Sequence, residues 1–137
     1  MPKSLKALEI QRASLFQQLQ ALGDFRPGTI SVNYRKCGRK NCVCARTGHR
    51  GHGPQFLWNT TQGGNSRAQS LQLGPELEKA RREVVNYDRF LRLCHELVAV
   101  NEQMCRVRPV ETIEDEAELA ALKKTLRRQF LPRWRRK

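Results

Sequence analysis

Cys37-Gly38-Arg39-Lys40-Asn41-Cys42-Val43-Cys44, running on through His49 to His52-Gly53-Pro54, is the stretch on which the reading of this chain turns. Zinc takes thiolate and imidazole donors in a tetrahedral array, at about 2.3 and 2.0 Å. Gly38 permits the tight turn that returns Cys37 toward Cys42 and Cys44. His52, held just before Gly53-Pro54 leads into a strand, is the expected fourth ligand, with His49 as its competitor. The spacing Cys-x4-Cys-x-Cys is not a common finger pattern, and two other readings stay open. Cys42 and Cys44 as a redox pair would leave Cys37 and the histidines without a role; alternatively, the thiols are ordinary loop and core residues. Five cysteines are an odd number, which excludes a complete set of internal disulfides. Cys94 and Cys105 fall in a helical pattern, where a free cysteine acts as a small hydrophobe.

On either side of this loop the period is two. Ile30, Val32 and Tyr34 alternate with Ser31, Asn33 and Arg35, as in a half-buried strand. Residues 55–61 predict a second strand with Phe56 and Trp58 on one face. Gln62-Gly63-Gly64-Asn65 is a turn, because glycine takes φ values that other residues avoid. Residues 66–73 then return as a third strand. Three antiparallel strands are about the minimum for an independently stable sheet.

Farther out the period becomes helical. Leu5, Leu8, Leu15, Leu19 and Leu22 predict an amphipathic helix over residues 3–22. Arg12 interrupts that stripe, either weakening it or marking a contact. Gly23-Asp24 is the expected stop, through a glycine with positive φ. Gly74-Pro75-Glu76 opens a long helix, since Pro75 loses no hydrogen bond at the first position and Glu76 complements the positive end. Leu77, Ala80, Val84, Tyr87, Leu91, Cys94, Val98, Asn101 and Cys105 alternate by three and four, like a coiled-coil seam, until Pro109. The two helices should pack antiparallel as a stalk. The longer one should run past its partner, leaving surplus seam for a second copy or a partner protein. Asn101 would fix the register of such a homodimer, or simply sit at a fraying end. Residues 113–130 predict a third helix, acidic at its start and basic at its end, and residues 131–137 a disordered basic tail. The expected class is α+β: a three-stranded sheet with a zinc loop on a helical stalk. Residues 1–109 form this module and residues 110–137 a C-terminal extension.

The chain holds 26 Lys and Arg against 13 Asp and Glu, a net charge of +13. Such an excess favours polyanions, and nucleic acid above all. The charge is concentrated: residues 26–50 and 123–137 contain no acid, whereas Glu111, Glu114, Asp115, Glu116 and Glu118 lie between them. The expected contacts to DNA or RNA are Arg35, Lys36, Arg39, Lys40, Arg46 and Arg50 in the loop. Lys123, Lys124, Arg127, Arg128, Arg133, Trp134, Arg135, Arg136 and Lys137 supply them in the extension. Tyr34, Phe56 and Trp58 either stack on unpaired bases or cover the sheet against the stalk.

Residues 34–44 with His52-Gly53-Pro54 and the aromatic strand after them resemble a family of small uncharacterised prokaryotic proteins. These carry a Cys-Gly-Lys/Arg-x-Asn-Cys-x-Cys…His-Gly-Pro signature, and some occur near mobile elements. The resemblance covers about residues 29–97 and singles out His52 over His49. Gln55 and Leu57 stand where that family tends to have tyrosines, which weakens a base-stacking role for the strand. The resemblance implies a site and no activity.

An enzyme is not expected. Three cysteines and one histidine would fill a zinc shell, and the loop offers no carboxylate as general base. No stretch approaches the roughly 20 apolar residues of a membrane span, and residues 1–22 lack a signal-peptide apolar region. A small-molecule substrate is not expected either. The chain reads as a cytoplasmic, zinc-stabilised nucleic-acid-binding protein in an accessory or regulatory role. The rival reading is a coiled-coil adaptor whose charge is incidental.

Overall fold

The computed structural model describes residues 3–131. The first helix, α1 (Leu5–Gln20), starts at Ser4, whose hydroxyl accepts a hydrogen bond from the Ala7 amide at 3.2 Å and so satisfies one of the free amides of the first turn. Ala21 closes it in the right-handed helical region. Gly23 is not among the glycines with positive φ, so the expected glycine stop is not used. Leu22 still has to reach the apolar core, on which it packs.

Three antiparallel strands follow, β1 (Thr29–Arg35), β2 (His52–Gln62) and β3 (Asn65–Leu71), in the order β1-β2-β3. Gly63 and Gly64, with φ of 55° and 80°, make the two-residue turn between β2 and β3, as tight hairpins require. Trp58 lies opposite Ile30 and Gln69, and Phe56 opposite Val32 and Leu71. β2 begins at His52 rather than at residue 55, because the ladder resumes beyond a bulge at Asn33–Arg35 and pairs Arg35 with His52. β1 is less covered than expected, with Val32 and Tyr34 both exposed.

The long helix α2 (Pro75–Val107) carries Pro75 in its first turn and Glu76 and Glu78 beside its positive end. The Glu76 carboxylate also accepts from the Gln72 amide at 3.2 Å. The last helix, α3 (Glu116–Phe130), starts three residues later than residue 113, because the Asp115 carboxylate caps it by accepting from the Ala117 amide at 3.0 Å. It buries no residue.

The core lies between α1 and α2, where Leu8, Leu15, Leu93, Val100 and Met104 are buried together and Leu5, Leu19, Leu22 and Leu97 pack around them. The pairing is antiparallel, with Glu9 beside Arg108, Arg12 beside Asn101 and Asp24 beside Asn86. This corrects the expected seam. In the half of α2 beyond Phe90 the inward series is Leu93, Leu97, Val100 and Met104, while Leu91, Val98 and Cys105 are exposed. Arg12 marks a contact: its guanidinium donates to the Asn101 side-chain carbonyl at 3.2 Å. Asn101 therefore serves the intrachain pair rather than a fraying end. As expected, α2, at 33 residues, runs well past the 16 residues of α1, and its first half meets the segment before β1 through the contact between Arg26 and Glu83.

A polar joint ties the sheet to the hairpin. Arg26 donates from its amide to the Glu83 carbonyl at 3.1 Å and pairs with the Glu83 carboxylate at 2.9 Å. Its guanidinium also lies 4.5 Å from the centre of the Trp58 ring, while the Trp58 indole N–H donates to the Pro27 carbonyl at 2.7 Å. Phe25 stacks on Phe90 with ring centres 4.7 Å apart, and Tyr87 completes the cluster. Among the described residues no helix is long and apolar enough to cross a membrane.

Candidate metal centre

The loop between β1 and β2 is a chain of tight turns. The Cys42 amide donates to the Arg39 carbonyl, and the Ala45 amide to the Cys42 carbonyl, opening a 3-10 helix at Val43–Ala45. That turn drives Cys44 inward to 1% exposure, while Cys37 stays exposed and Cys42 half-buried. Gly38, at φ 82°, lets the chain reverse directly after Cys37. At the far end Gly51, at φ 102°, passes so close to Arg35 that a Cβ would lie 2.7 Å from its backbone. That approach sets His52 opposite Arg35, at the mouth of the sheet.

Cys37, Cys42, Cys44 and His52 converge, with their ligand atoms all within 4.8 Å of one another. Cys37 Sγ and Cys44 Sγ are 3.5 Å apart, and Cys42 Sγ and His52 Nε2 are 3.1 Å apart. Donors at the corners of a tetrahedron around a metal 2.0–2.3 Å away would be separated by roughly 3.5–3.8 Å. Three thiols and an imidazole drawn this close therefore form a set that can hold one metal ion. His49 is engaged elsewhere: its Nδ1 accepts from the Gly51 amide at 2.9 Å, which steadies the loop's return. This separates the two candidate histidines.

The local field prepares the thiols unequally. Cys37 is lowered to about 6, chiefly by the hydrogen bond from the Arg39 backbone, then by His52 and Cys44. For Cys44 the largest influence is the Cys37 amide, which donates to its sulfur at 3.4 Å and favours the thiolate. Burial and the neighbouring thiols outweigh it and push Cys44 up. A bound cation would reverse that balance, because metal coordination favours the deprotonated sulfur.

Around the cluster Arg35, Lys36, Arg39, Lys40, Arg46 and Arg50 are all exposed. A surface concavity is lined by Cys37, Arg39, Lys40, Asn41, Cys42 and His52. Among the described residues none of these six cations pairs with a carboxylate. Arg50 lies 4.9 Å from the centre of the Tyr34 ring, which occupies one expected stacking platform. Trp58 is likewise covered by Arg26. Lys123, Lys124, Arg127 and Arg128 are exposed along α3. Arg133, Trp134, Arg135, Arg136 and Lys137 lie outside the described residues.

Sequence reasoning missed the joint of Arg26, Trp58 and Glu83, and the bulge that positions His52. The second had a signal: a metal-ligand residue between two glycines, Gly51-His52-Gly53, marks backbone that must approach another strand closely.

Residues 5–82 match the family described as Domain of unknown function (DUF6788). The chain belongs to that family. The DUF6788 match takes in α1, the whole sheet and the loop with its four candidate ligands, and ends inside α2 at Arg82. It thus begins earlier and ends earlier than the expected span of residues 29–97. No curated protein and no solved structure matches the chain.

Proposed function

We propose that the cluster binds zinc and that the chain is a zinc-stabilised nucleic-acid-binding protein. Three thiolates and an imidazole are a donor set suited to zinc, and they fill a tetrahedral shell. With no open position the ion is structural rather than catalytic. The ion holds the loop, and the loop holds Arg35, Lys36, Arg39, Lys40, Arg46 and Arg50 toward solvent. The observation that carries this reading is that these six charges are exposed and, among the described residues, free of carboxylates. Preorganised cations contact phosphate with little loss of side-chain freedom. The basic face of α3 and the charges beyond it extend the contact surface. This chemistry suits an accessory or regulatory component of a complex with DNA or RNA.

A salt titration of binding to duplex DNA and to single-stranded RNA tests the proposal. Replacing both Arg39 and Lys40 with alanine should flatten the log–log salt slope on duplex DNA by up to about 1.8, at about 0.9 per phosphate contact. Zinc content should not change. Deleting residues 131–137 removes Arg133, Arg135, Arg136 and Lys137, and should flatten the slope by up to about 3.6 with little change in substrate preference. Binding that is absent, or insensitive to salt, would favour the adaptor reading instead.

A further inference from the structure

The sheet has two unlike faces. Ile30, Phe56, Trp58 and Leu71 share one of them, which is tied toward α2 because Trp58 lies beneath Arg26 and Arg26 pairs with Glu83. On the other face Asn33 stands opposite Gln55, and the next rung sets Ser31 and Ser70 on either side of Leu57. The rung beyond sets Thr29 and Ala68 on either side of Asn59. These three rungs carry amides, hydroxyls and two aliphatic side chains, with no charge and no aromatic ring. Asn33 and Gln55 are exposed, and among the described residues neither side chain is held in a hydrogen bond. Asn59 donates to the Ser31 hydroxyl at 2.8 Å, which leaves its own carbonyl oxygen free to accept.

The surroundings of this face select a polyanion. Residues 25–75 contain no Asp or Glu. The loop with its six exposed cations leaves and re-enters the sheet at the Asn33–Gln55 end. At the opposite end a surface concavity takes in Thr29, Asn59, Thr61 and Ser66 together with Arg67. Among the described residues Arg67 pairs with no carboxylate. An uncharged hydrogen-bonding face is thus bracketed by cations at both ends. That is the division of labour in which phosphate contacts position a protein and base contacts give specificity.

The form of the nucleic acid follows from the rings. Readers of single strands stack unpaired bases on aromatic side chains, whereas here Trp58 lies beneath Arg26, Tyr34 beneath Arg50, and the polar face has none. The deep, narrow major groove of an RNA helix is closed to side chains. The major groove of duplex DNA is about 12 Å wide, and three strands set their outer axes about 10 Å apart. Asn and Gln pair with adenine there, Ser and Thr hydroxyls bond to several base edges, and Ala packs on the thymine methyl. Building on the nucleic-acid reading above, we propose that this face of the sheet enters the major groove of duplex DNA and reads base sequence, with Asn33 and Gln55 as specificity-determining residues. The loop cations and Arg67 hold the flanking phosphates.

Selection from a random duplex library with the zinc-loaded full-length chain tests this, followed by titration of the enriched duplex and of a shuffled duplex of the same composition. The wild type should bind the enriched duplex at least roughly tenfold more tightly. Asn33→Ala and Gln55→Ala should each weaken that binding about tenfold, as for loss of one base pairing, and leave the shuffled duplex unaffected. Gln69→Ala, on the opposite face, should change neither, and the Arg39 and Lys40 double alanine variant should weaken both. Metal content and exchange protection of the sheet check that each variant is folded. Duplex binding without sequence preference overturns the proposal, as does a preference that survives both Asn33→Ala and Gln55→Ala, or tighter binding to single-stranded RNA. Each of these leaves nucleic-acid binding standing, whereas failure to bind any nucleic acid overturns both readings.

Discussion

Between α1 and α2 five apolar side chains are buried together, whereas the sheet and its loop bury only Cys44, Gly51, Thr60 and Leu71. The hairpin has leucines to withdraw from water, and each contributes roughly 1.5–3 kcal/mol on full burial. The head has ladder hydrogen bonds, which contribute little net stability in water, and four converging ligands. Two regions of similar size thus rest on different physics, and perturbations should separate them.

The largest effect should come from the metal. If the cluster holds zinc as proposed, Cys44→Ser, or treatment with a chelator, should abolish hydrogen-exchange protection in β1 and β2 while leaving it in α1 and α2. Structural zinc contributes about 10–16 kcal/mol in small domains, more than a sheet this thinly covered can replace. His52→Ala should behave similarly and His49→Ala should not. Loss of both regions together would show that they do not fold separately.

The reciprocal change is Leu15→Ala, which should cost the hairpin about 2–5 kcal/mol through lost burial and the cavity left behind. Denaturant unfolding followed by helix content would read that loss, and elemental analysis should still find zinc.

Acid should strain the joint between the regions. The Glu83 carboxyl is held below its usual range chiefly by the Lys79 hydrogen bond, against opposing burial, with Arg26 also attracting it. Its folded-state value is depressed, so its contribution is complete above the unfolded value, about 4.3, and fades as pH falls through the folded one. The stability difference between wild type and Glu83→Gln should therefore be constant near neutrality and shrink below about pH 5.

The smallest effect expected is that of Asn101→Ala, about 1 kcal/mol for the hydrogen bond to Arg12. It should leave the metal content unchanged. A larger loss would show that the half-buried pair sets the helix register.

Much of this was legible because backbone constraints leave marks in sequence. Gly63-Gly64 fixed the hairpin, Pro75 the start of α2, and the spacing of Cys37, Cys42 and Cys44 the ligand loop. The α2 register was not legible, for a physical reason. Phe90, Leu93, Leu97, Val100 and Met104 alternate by three and four, and so do Leu91, Cys94, Val98, Asn101 and Cys105. Either series satisfies the period, and only the partner helix decides which turns inward. The joint was hidden because Arg26 reads as one more basic residue in a basic stretch, and nothing local announces Glu83 or Trp58.

The loop leaves the sheet at Arg35 and re-enters at His52, and these two residues are paired neighbours. Its two ends therefore meet at a single rung, which makes the intervening segment a cassette. Its length can therefore vary without altering the register of β1 against β2, provided that Gly51 and the four converging side chains are kept. The same geometry makes it portable. Residues 35–52, with Cys37 just after the entry rung, Cys42 and Cys44 at the 3-10 turn and the imidazole at the exit rung, could be transplanted onto another antiparallel hairpin as a self-closing clasp for a metal ion.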